Sequence, residues 1–418
     1  MNDRIKRMDE KVMAKEPLRV LHVFGALNLG GAESRTVELY RAIDRSRVQF
    51  DFLVHTDARG GNRADTSSEA LMAARAPQHF DDIVRESGAR IFAVPRFHGT
   101  NYAAYRNALR SFFQTHRGEW AAVHGHMTST ASIYLPVAGE EGFVPLLIAH
   151  ARSAGTDPGL KGIVTNLLRK PLRKTDCPYV RLAVSETAGE AVFGEAAMRD
   201  GHVHVIPNAI RPERFSYDAK ARERIREAHG IPGDAFVIGH VGSFRFAKNH
   251  EFLLQVFAAW KRRSPQSKLL LAGDGERLPE IRAMAETEGI AGDVIFAGNR
   301  SDIAAYYSAM DLLVFPSRYE GMPGTVIEAQ AAGLPCLISD TITKEVVLTE
   351  QVRRMSLQEA PGKWAEAVSE MCAPALTGDA SARAETSARA RQQLAAAGYD
   401  IRTQAERMTS FYLSGVLS

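Results

Sequence analysis

The sequence predicts an α/β protein of two doubly wound, Rossmann-like parallel-sheet domains. Short, near-continuous apolar runs alternate with amphipathic stretches along the whole chain, the pattern of parallel strands covered by helices on both faces. A turn-dense segment, Pro207-Asn208-Ala209-Ile210-Arg211-Pro212, divides that series into two of similar size. The 418 residues suit two domains, at roughly 100–200 residues each.

The first series opens with RVLHVF (19–24) as a buried strand and AESRTVELYRAI (32–43) as its helix. Strands are then expected at 50–54, 90–94, 121–126, 145–150, 181–185 and 202–206, with helices between them such as 102–116. The second series begins with a helix at 219–229 and the strand FVIGHVG (236–242). Helix–strand pairs follow through KLLLAGDG, DVIFAG, DLLVFPS and LPCLIS. Residues 373–392 are Ala-rich and polar and read as a solvent-facing helix, and the chain closes on a terminal amphipathic helix.

Composition narrows the function. With 45% hydrophobic residues the chain can bury a core, and Lys+Arg 52 against Asp+Glu 49 leaves only +3, so nothing argues for a nucleic-acid partner. Cys177, Cys336 and Cys372 are far apart, which opposes a disulfide framework or zinc knuckle and fits a reducing cytoplasm. No run approaches the ~18 apolar residues of a membrane span. The charged start, MNDRIKRMDEKVMAKEP, reads as a mobile arm and not a signal peptide. One segment is strongly basic: Lys161, Arg169, Lys170, Arg173, Lys174 and Arg181 face Asp176 alone.

In open parallel sheets, ligands bind beyond the carboxyl ends of the strands, so the expected site is the cleft between two such sets of ends. Gly30-Gly31-Ala32-Glu33 follows the first strand and fits either an anion-holding turn or a plain tight turn. The fingerprint GxGxxG is absent there and GxxxxGK[ST] is absent throughout, which removes the case for a dinucleotide enzyme or a P-loop ATPase. His124 and His126 end the fourth strand on one face. His124 reads as a core histidine and His126 as a site residue. No metal is expected at either this pair or His202 and His204, since no carboxylate cluster or further His/Cys set accompanies them.

Arg245 and Lys248 follow the strand 236–242 and suit a diphosphate whose charge they bind and neutralise. The richest segment is Pro316-Ser317-Arg318-Tyr319-Glu320-Gly321-Met322-Pro323-Gly324-Thr325-Val326-Ile327-Glu328-Ala329. It reads as a strand end, a loop from Gly321 to Gly324 with Pro323 near the first helical position, and a helix. Glu320 before that helix and Glu328 inside it are carboxylates at two depths, good acceptors for paired sugar hydroxyls.

These residues resemble the family 4 retaining glycosyltransferases of the GT-B fold, two Rossmann-like domains facing each other across a cleft. The resemblance rests on Glu320 and Glu328 as E-x7-E, Gly30-Gly31-Ala32-Glu33, Pro207-Asn208 and Lys248-Asn249, and runs from Leu18 over nearly the whole chain. VIGHVGSFRFAKNHEFLL, YEGMPGTVIEAQAAGLPCLISDTITKEV and IAHARSAG resemble the EpsF-like branch, which serves exopolysaccharide and capsule assembly. The resemblance implies an arm at 1–17, an acceptor-binding domain at 18–208, a nucleotide-sugar domain at 209–395, and a terminal helix, 396–418, crossing back to the first.

It further implies that Glu328 binds the ribose, Glu320 and His126 contact the donor sugar, and Lys248 binds the diphosphate. The amides of Met322 to Thr325 support sugar and phosphate, and Asn299 and Arg300 lie near the base. The donor is a nucleotide sugar, UDP foremost, and the acceptor a glycan or lipid-linked glycan. Neither metal nor further cofactor is implied. One departure stands out: the family's arginine directly after the glycine is here Ser243, with Arg245 two further on. Alternation along an extended strand would put both positions on one face. Two other readings remain: a nucleotide-sugar epimerase of the same architecture, or a non-catalytic nucleotide-sugar-binding subunit. A last expectation concerns 160–181. Its leucines and cations recur at near-helical spacing, as in a helix lying on an anionic membrane surface at the inner face of the cytoplasmic membrane.

Overall fold

A computed structural model describes residues 16–28, 30–57, 65–153, 155, 159–372 and 380–417. The expected arm falls almost wholly outside them. The chain forms two compact units, Met1–Asn208 with Ile401–Ser418, and Ala209–Asp400.

The first unit holds seven strands: β1 (Leu18–Phe24), β2 (Val48–Thr56), β3 (Ile91–Pro95), β4 (Ala122–Gly125), β5 (Leu146–Ala151), β6 (Val180–Ala183) and β7 (Val203–Val205). They are ordered β3-β2-β1-β4-β5-β6-β7, and every pair is parallel. The inner strands β1, β2 and β4 are buried almost throughout, which is why their sequences are mostly apolar, broken by the buried His22, Gln49, Asp51, His55 and His124. The terminal helix Ile401–Ser414 belongs to this unit. Its Tyr412, fully buried, meets Phe50 edge-on at 5.8 Å between ring centroids.

The second unit holds β8 (Val237–Val241), β9 (Lys268–Ala272), β10 (Val294–Gly298), β11 (Leu312–Phe315), β12 (Cys336–Ser339) and β13 (Val352–Met355). Their order is β10-β9-β8-β11-β12-β13, again all parallel. Ile238, Leu254, Phe257, Leu269, Leu312 and Trp364 anchor its core. At the end of β8 the backbone comes close to its neighbour. A Cβ on Gly273, where φ is +143°, would lie 2.1 Å from the Gly242 carbonyl oxygen, so only glycine fits.

Two expectations change. Residues 373–379 lie outside the described residues, and the helix Ala380–Ala396 does not simply face solvent. It buries Ser387, Ala390 and Leu394, and Ser387 Oγ donates to Ala331 O at 2.7 Å. Of the basic segment's cations, Arg169 and Arg181 are buried. Arg169 donates to Thr128 Oγ1 and Arg181 to the Leu172 and Lys174 carbonyls, so both are structural. No helix among the described residues is long and apolar enough to cross a membrane.

Candidate active site

In each sheet the strand order reverses beside the first strand, between β1 and β4 in one and between β8 and β11 in the other. Such a reversal opens a crevice at the strands' carboxyl ends, the usual ligand position in this architecture. Gly30, Gly31 and His126 follow β1 and β4. Arg245, Lys248 and the Glu320 loop follow β8 and β11.

In the second unit, β8 ends at Val241 and the chain turns. Arg245 N–H donates to Ser243 O at 2.8 Å. The segment 243–245 is therefore not extended, and the alternation that would place Ser243 and Arg245 on one face does not hold. Arg245 is exposed. A short 3-10 turn, Phe246–Lys248, follows. Asn249, at φ 58° and ψ 45°, then starts the helix His250–Lys261; asparagine is among the few residues that take this left-handed geometry. The turn is stapled from outside. Arg318 Nη2 donates to Glu251 Oε1 at 2.6 Å, Arg277 Nη1 reaches the same carboxylate at 3.0 Å, and the Arg318 guanidinium lies 4.1 Å over the Phe246 ring. Burial would raise the Glu251 carboxyl, but hydrogen bonds from its own amide, Arg318 and Arg277 bring it below its usual range.

The turn delivers Lys248 directly to Glu320: Nζ donates to Oε1, and the ammonium stands 4.8 Å over the Phe315 ring. Two residues 72 apart in sequence are thus one ion pair, each side chain about one-sixth exposed (17% and 16%). The loop Gly321–Pro323 is buried, with Tyr399 Oη resting against Met322 Sδ at 3.8 Å. The helix starts at Gly324, so Pro323 is its cap and not its first turn. No side chain caps it. The amides of Gly324 and Thr325 precede its first i→i−4 bond, while Val326 N–H is taken by Pro323 O and Thr325 Oγ1 by Val241 O. One turn inside, Glu328 is 8% exposed, and Tyr307 Oη donates to its Oε2 at 2.8 Å. The sequence reading missed Tyr307, whose only signal is its place in the aromatic pair of IAAYYSAM. Asn299 and Arg300 are exposed after β10, at the sheet's edge, away from the reversal point. Arg300 lies 5.3 Å from the Tyr306 ring.

In the first unit, Gly30 caps the helix Gly31–Ala42. A Cβ on Gly30 would meet Glu33 Oε2 at 2.2 Å, whereas Gly31 has open space. The Glu33 carboxylate therefore folds back over the helix start. His126, 8% exposed, belongs to a cluster that the sequence reading did not assemble. The register pairs His22 with His124 across β1 and β4, and His150 on β5 completes the set, so the expectation that no further histidines accompany His124 and His126 fails. The signal was there: each of three apolar runs carries histidine near its end, AAVHGH carrying two.

His22 Nδ1 lies 3.0 Å from His126 Nε2, His124 Nδ1 2.7 Å from Tyr412 Oη, and His124 Nε2 2.9 Å from His150 Nδ1. Arg152 Nε donates to His126 Nδ1 at 3.0 Å. His124 is thus a satisfied core histidine, as expected. His22, His124 and His126 bring ligand atoms within 4.8 Å of one another. These nitrogens are already engaged within the protein, however: His124 by Tyr412 and His150, and His126 by Arg152 and His22. Burial first, then the neighbouring histidines and Arg152, push His126 and His124 well below the usual imidazole value. His202 and His204 stand exposed by β7, outside this group.

Residues 221–393 match the family model for glycosyl transferases group 1. Over 358 residues, 85% of this chain and 88% of the relative, the sequence is 35% identical to the protein named glycosyltransferase EpsF of Bacillus subtilis (strain 168). The chain belongs to the group 1 glycosyltransferases. This glycosyltransferase is also 29% identical, over 33% of its length and 36% of the relative's, to the Escherichia coli UDP-Gal:alpha-D-GlcNAc-diphosphoundecaprenol alpha-1,3-galactosyltransferase. Among solved structures, Anabaena HepE in complex with UDP and glucose superimposes with a TM-score of 0.71 at 18% identity, covering 94% of this chain and 98% of that one. Its two parallel-sheet units are those of the GT-B fold.

Proposed function

We propose that this glycosyltransferase moves a sugar from a nucleoside diphosphate, UDP foremost, to a glycan or lipid-linked glycan during assembly of an exopolysaccharide or capsule. One observation carries the reading: Lys248 and Glu320 meet at the β8/β11 reversal point, with Glu328 one turn deeper on the same segment. Lys248 takes the diphosphate, aided by Arg245 and the amides from Gly321 to Thr325. Glu320 accepts from sugar hydroxyls and Glu328 from the ribose, while Asn299 and Arg300 serve the base. His126 faces the donor sugar, and Gly30 and Gly31 serve an acceptor phosphate. Transfer retains the anomeric configuration: the acceptor hydroxyl attacks from the leaving group's side, and the departing phosphate takes its proton as Lys248 neutralises it. No metal or further cofactor is required, so activity persists after chelation.

A thermal-shift screen of nucleotide sugars tests the donor, since a ligand at 100 times its dissociation constant stabilises by about 2.7 kcal/mol. If none shifts the melting point, the reading fails. Donor consumed only with an acceptor present separates transfer from epimerisation; binding without turnover would indicate a non-catalytic subunit.

The acceptor lies at the inner face of the cytoplasmic membrane. Ile163, Val164 and Leu167 are 65%, 41% and 57% exposed on the helix Leu160–Arg169. Lys170, Arg173 and Lys174 stand exposed just beyond, a pairing that suits anionic lipid. The Escherichia coli relative is named for an alpha-D-GlcNAc-diphosphoundecaprenol acceptor, which agrees. Anionic vesicles should pull the protein down at low salt and release it at high salt. Lys170→Gln with Lys174→Gln should weaken this without altering UDP affinity. Indifference to anionic vesicles at low salt would favour a soluble acceptor.

A further inference from the structure

His126 has no free ring nitrogen. Nδ1 receives the Arg152 Nε–H and Nε2 faces His22 Nδ1, both at 3.0 Å. A guanidinium can only donate, so Nδ1 must carry the lone pair and Nε2 the proton. Nε2–H then donates to His22 Nδ1, which leaves the proton of His22 on Nε2, a buried atom without a partner among the described residues. Arg152 is itself held in place. Nη1 donates to Asn208 Oδ1 at 3.1 Å, and Nη2 reaches Thr36 Oγ1 at 3.4 Å. The Phe24 ring stacks on His126 at 4.3 Å, closing one face. The parallel chain from Tyr412 through His124 to His150 has no such obligate donor at its head, because a phenol can give or take.

We propose that Arg152 is a positioning residue for His126, fixing it as the neutral Nε2–H tautomer and ordering the protons along Arg152, His126 and His22. This rests on the reading of His126 as sugar-facing. It adds that His126 supplies shape and not proton transfer: accepting a proton would mean giving up the bond from Arg152 beside a guanidinium. The groups facing the cluster are His22 from β1, His124 from β4, His150 from β5, Arg152 beyond it and Tyr412 from the terminal helix. Glu33 acts on Arg152, and Asp51 on His22, from further off. Burial and Arg152 together hold His22 down at about 3, so the relay's far end stays neutral too.

Nitrogen-15 NMR of histidine-labelled full-length protein, with His126 assigned by loss of its signals in His126→Gln, decides the question without any ligand. The expected result is a single Nε2–H tautomer for His126, unmoved between about pH 5 and 8. Arg152→Lys keeps a donor and should keep that pattern. Arg152→Met should replace it with a mixture, while the His124 and His150 signals, which hang from Tyr412, stay put and report an intact sheet. In the transfer assay Arg152→Met should lower kcat about 10- to 100-fold with little change in KM, and the lysine form should recover part of it. A protonated Nδ1 in the wild type, or an unchanged single tautomer in Arg152→Met, overturns the proposal. If the methionine form does not fold, the wild-type tautomer and its survival in the lysine form decide alone. Unimpaired transfer by His126→Gln would instead remove His126 from the site and leave the tautomer result standing.

Discussion

Replacing Glu320 by Gln should move two measurements in opposite directions. Lys248 Nζ is engaged by the Glu320 carboxylate, and both side chains are largely sheltered (17% and 16% exposed). A diphosphate reaching Lys248 must displace that carboxylate or share the ammonium with it. A hydrogen bond to a charged group contributes about 1.5–3 kcal/mol, and the exchange forfeits part of it. Gln keeps the shape but gives up the charge, so Lys248 becomes available and a nearby repulsion on the diphosphate vanishes. UDP alone should bind more tightly by about 1–2 kcal/mol, roughly 5- to 30-fold. Turnover of the nucleotide sugar should fall, because the amide is a weaker acceptor for the sugar hydroxyl. Calorimetry with UDP reads the first effect and initial rates the second. Weaker UDP binding would refute the competition between carboxylate and diphosphate. Equal loss in both would show that Glu320 only holds the loop.

Tyr307→Phe removes the hydroxyl bonded to Glu328 and should weaken nucleotide binding by about 1 kcal/mol, with Glu328→Ala costing more; calorimetry that finds Glu328→Ala harmless removes the ribose role. Arg245→Ala should cost about 1.5–3 kcal/mol of UDP binding if that exposed arginine stands in for the charge missing at Ser243, and no change would leave the diphosphate to Lys248 and the amides. Asp51 makes a stability prediction. Burial would raise its carboxyl, yet hydrogen bonds from Arg19, Arg90 and Trp120 bring it down to about 2. A depressed folded value means that stability is present above the unfolded pKa near 4 and is lost as pH falls towards 2. At about 1.4 kcal/mol per unit, the contribution is about 2–3 kcal/mol. Urea midpoints for the wild type should drop across that window more steeply than those for Asp51→Asn, and parallel curves would contradict it.

The order of strands and helices was legible because each core strand is buried on both faces and so is written as a mostly apolar run, as in VLHVF and LLVF. The candidate donor residues were legible for a related reason. They stand in loops immediately after such runs, where glycines, cations and carboxylates interrupt the pattern. The sequence also kept Gly273 and Asn249 at positions whose backbone admits few other residues. What it could not write down is which side chains meet across long separations. The Lys248–Glu320 pair depends on β8 lying beside β11. The bond from Tyr307 to Glu328 depends on how two helices flank that sheet. The histidine cluster needs the register of β1, β4 and β5 together with a terminal helix some 290 residues after His124; Tyr412 is 288 residues away in sequence and 2.7 Å away in space. Burial, too, is decided by tertiary packing. Arg169 and Arg181 look like surface cations in a basic run until the fold shows their guanidinium groups turned inward to a hydroxyl and to carbonyls. Local patterning fixes secondary structure because it follows the period of the backbone. Partner, tautomer and charge environment belong to the assembled sheet, because they arise only when segments distant in sequence are packed without water between them.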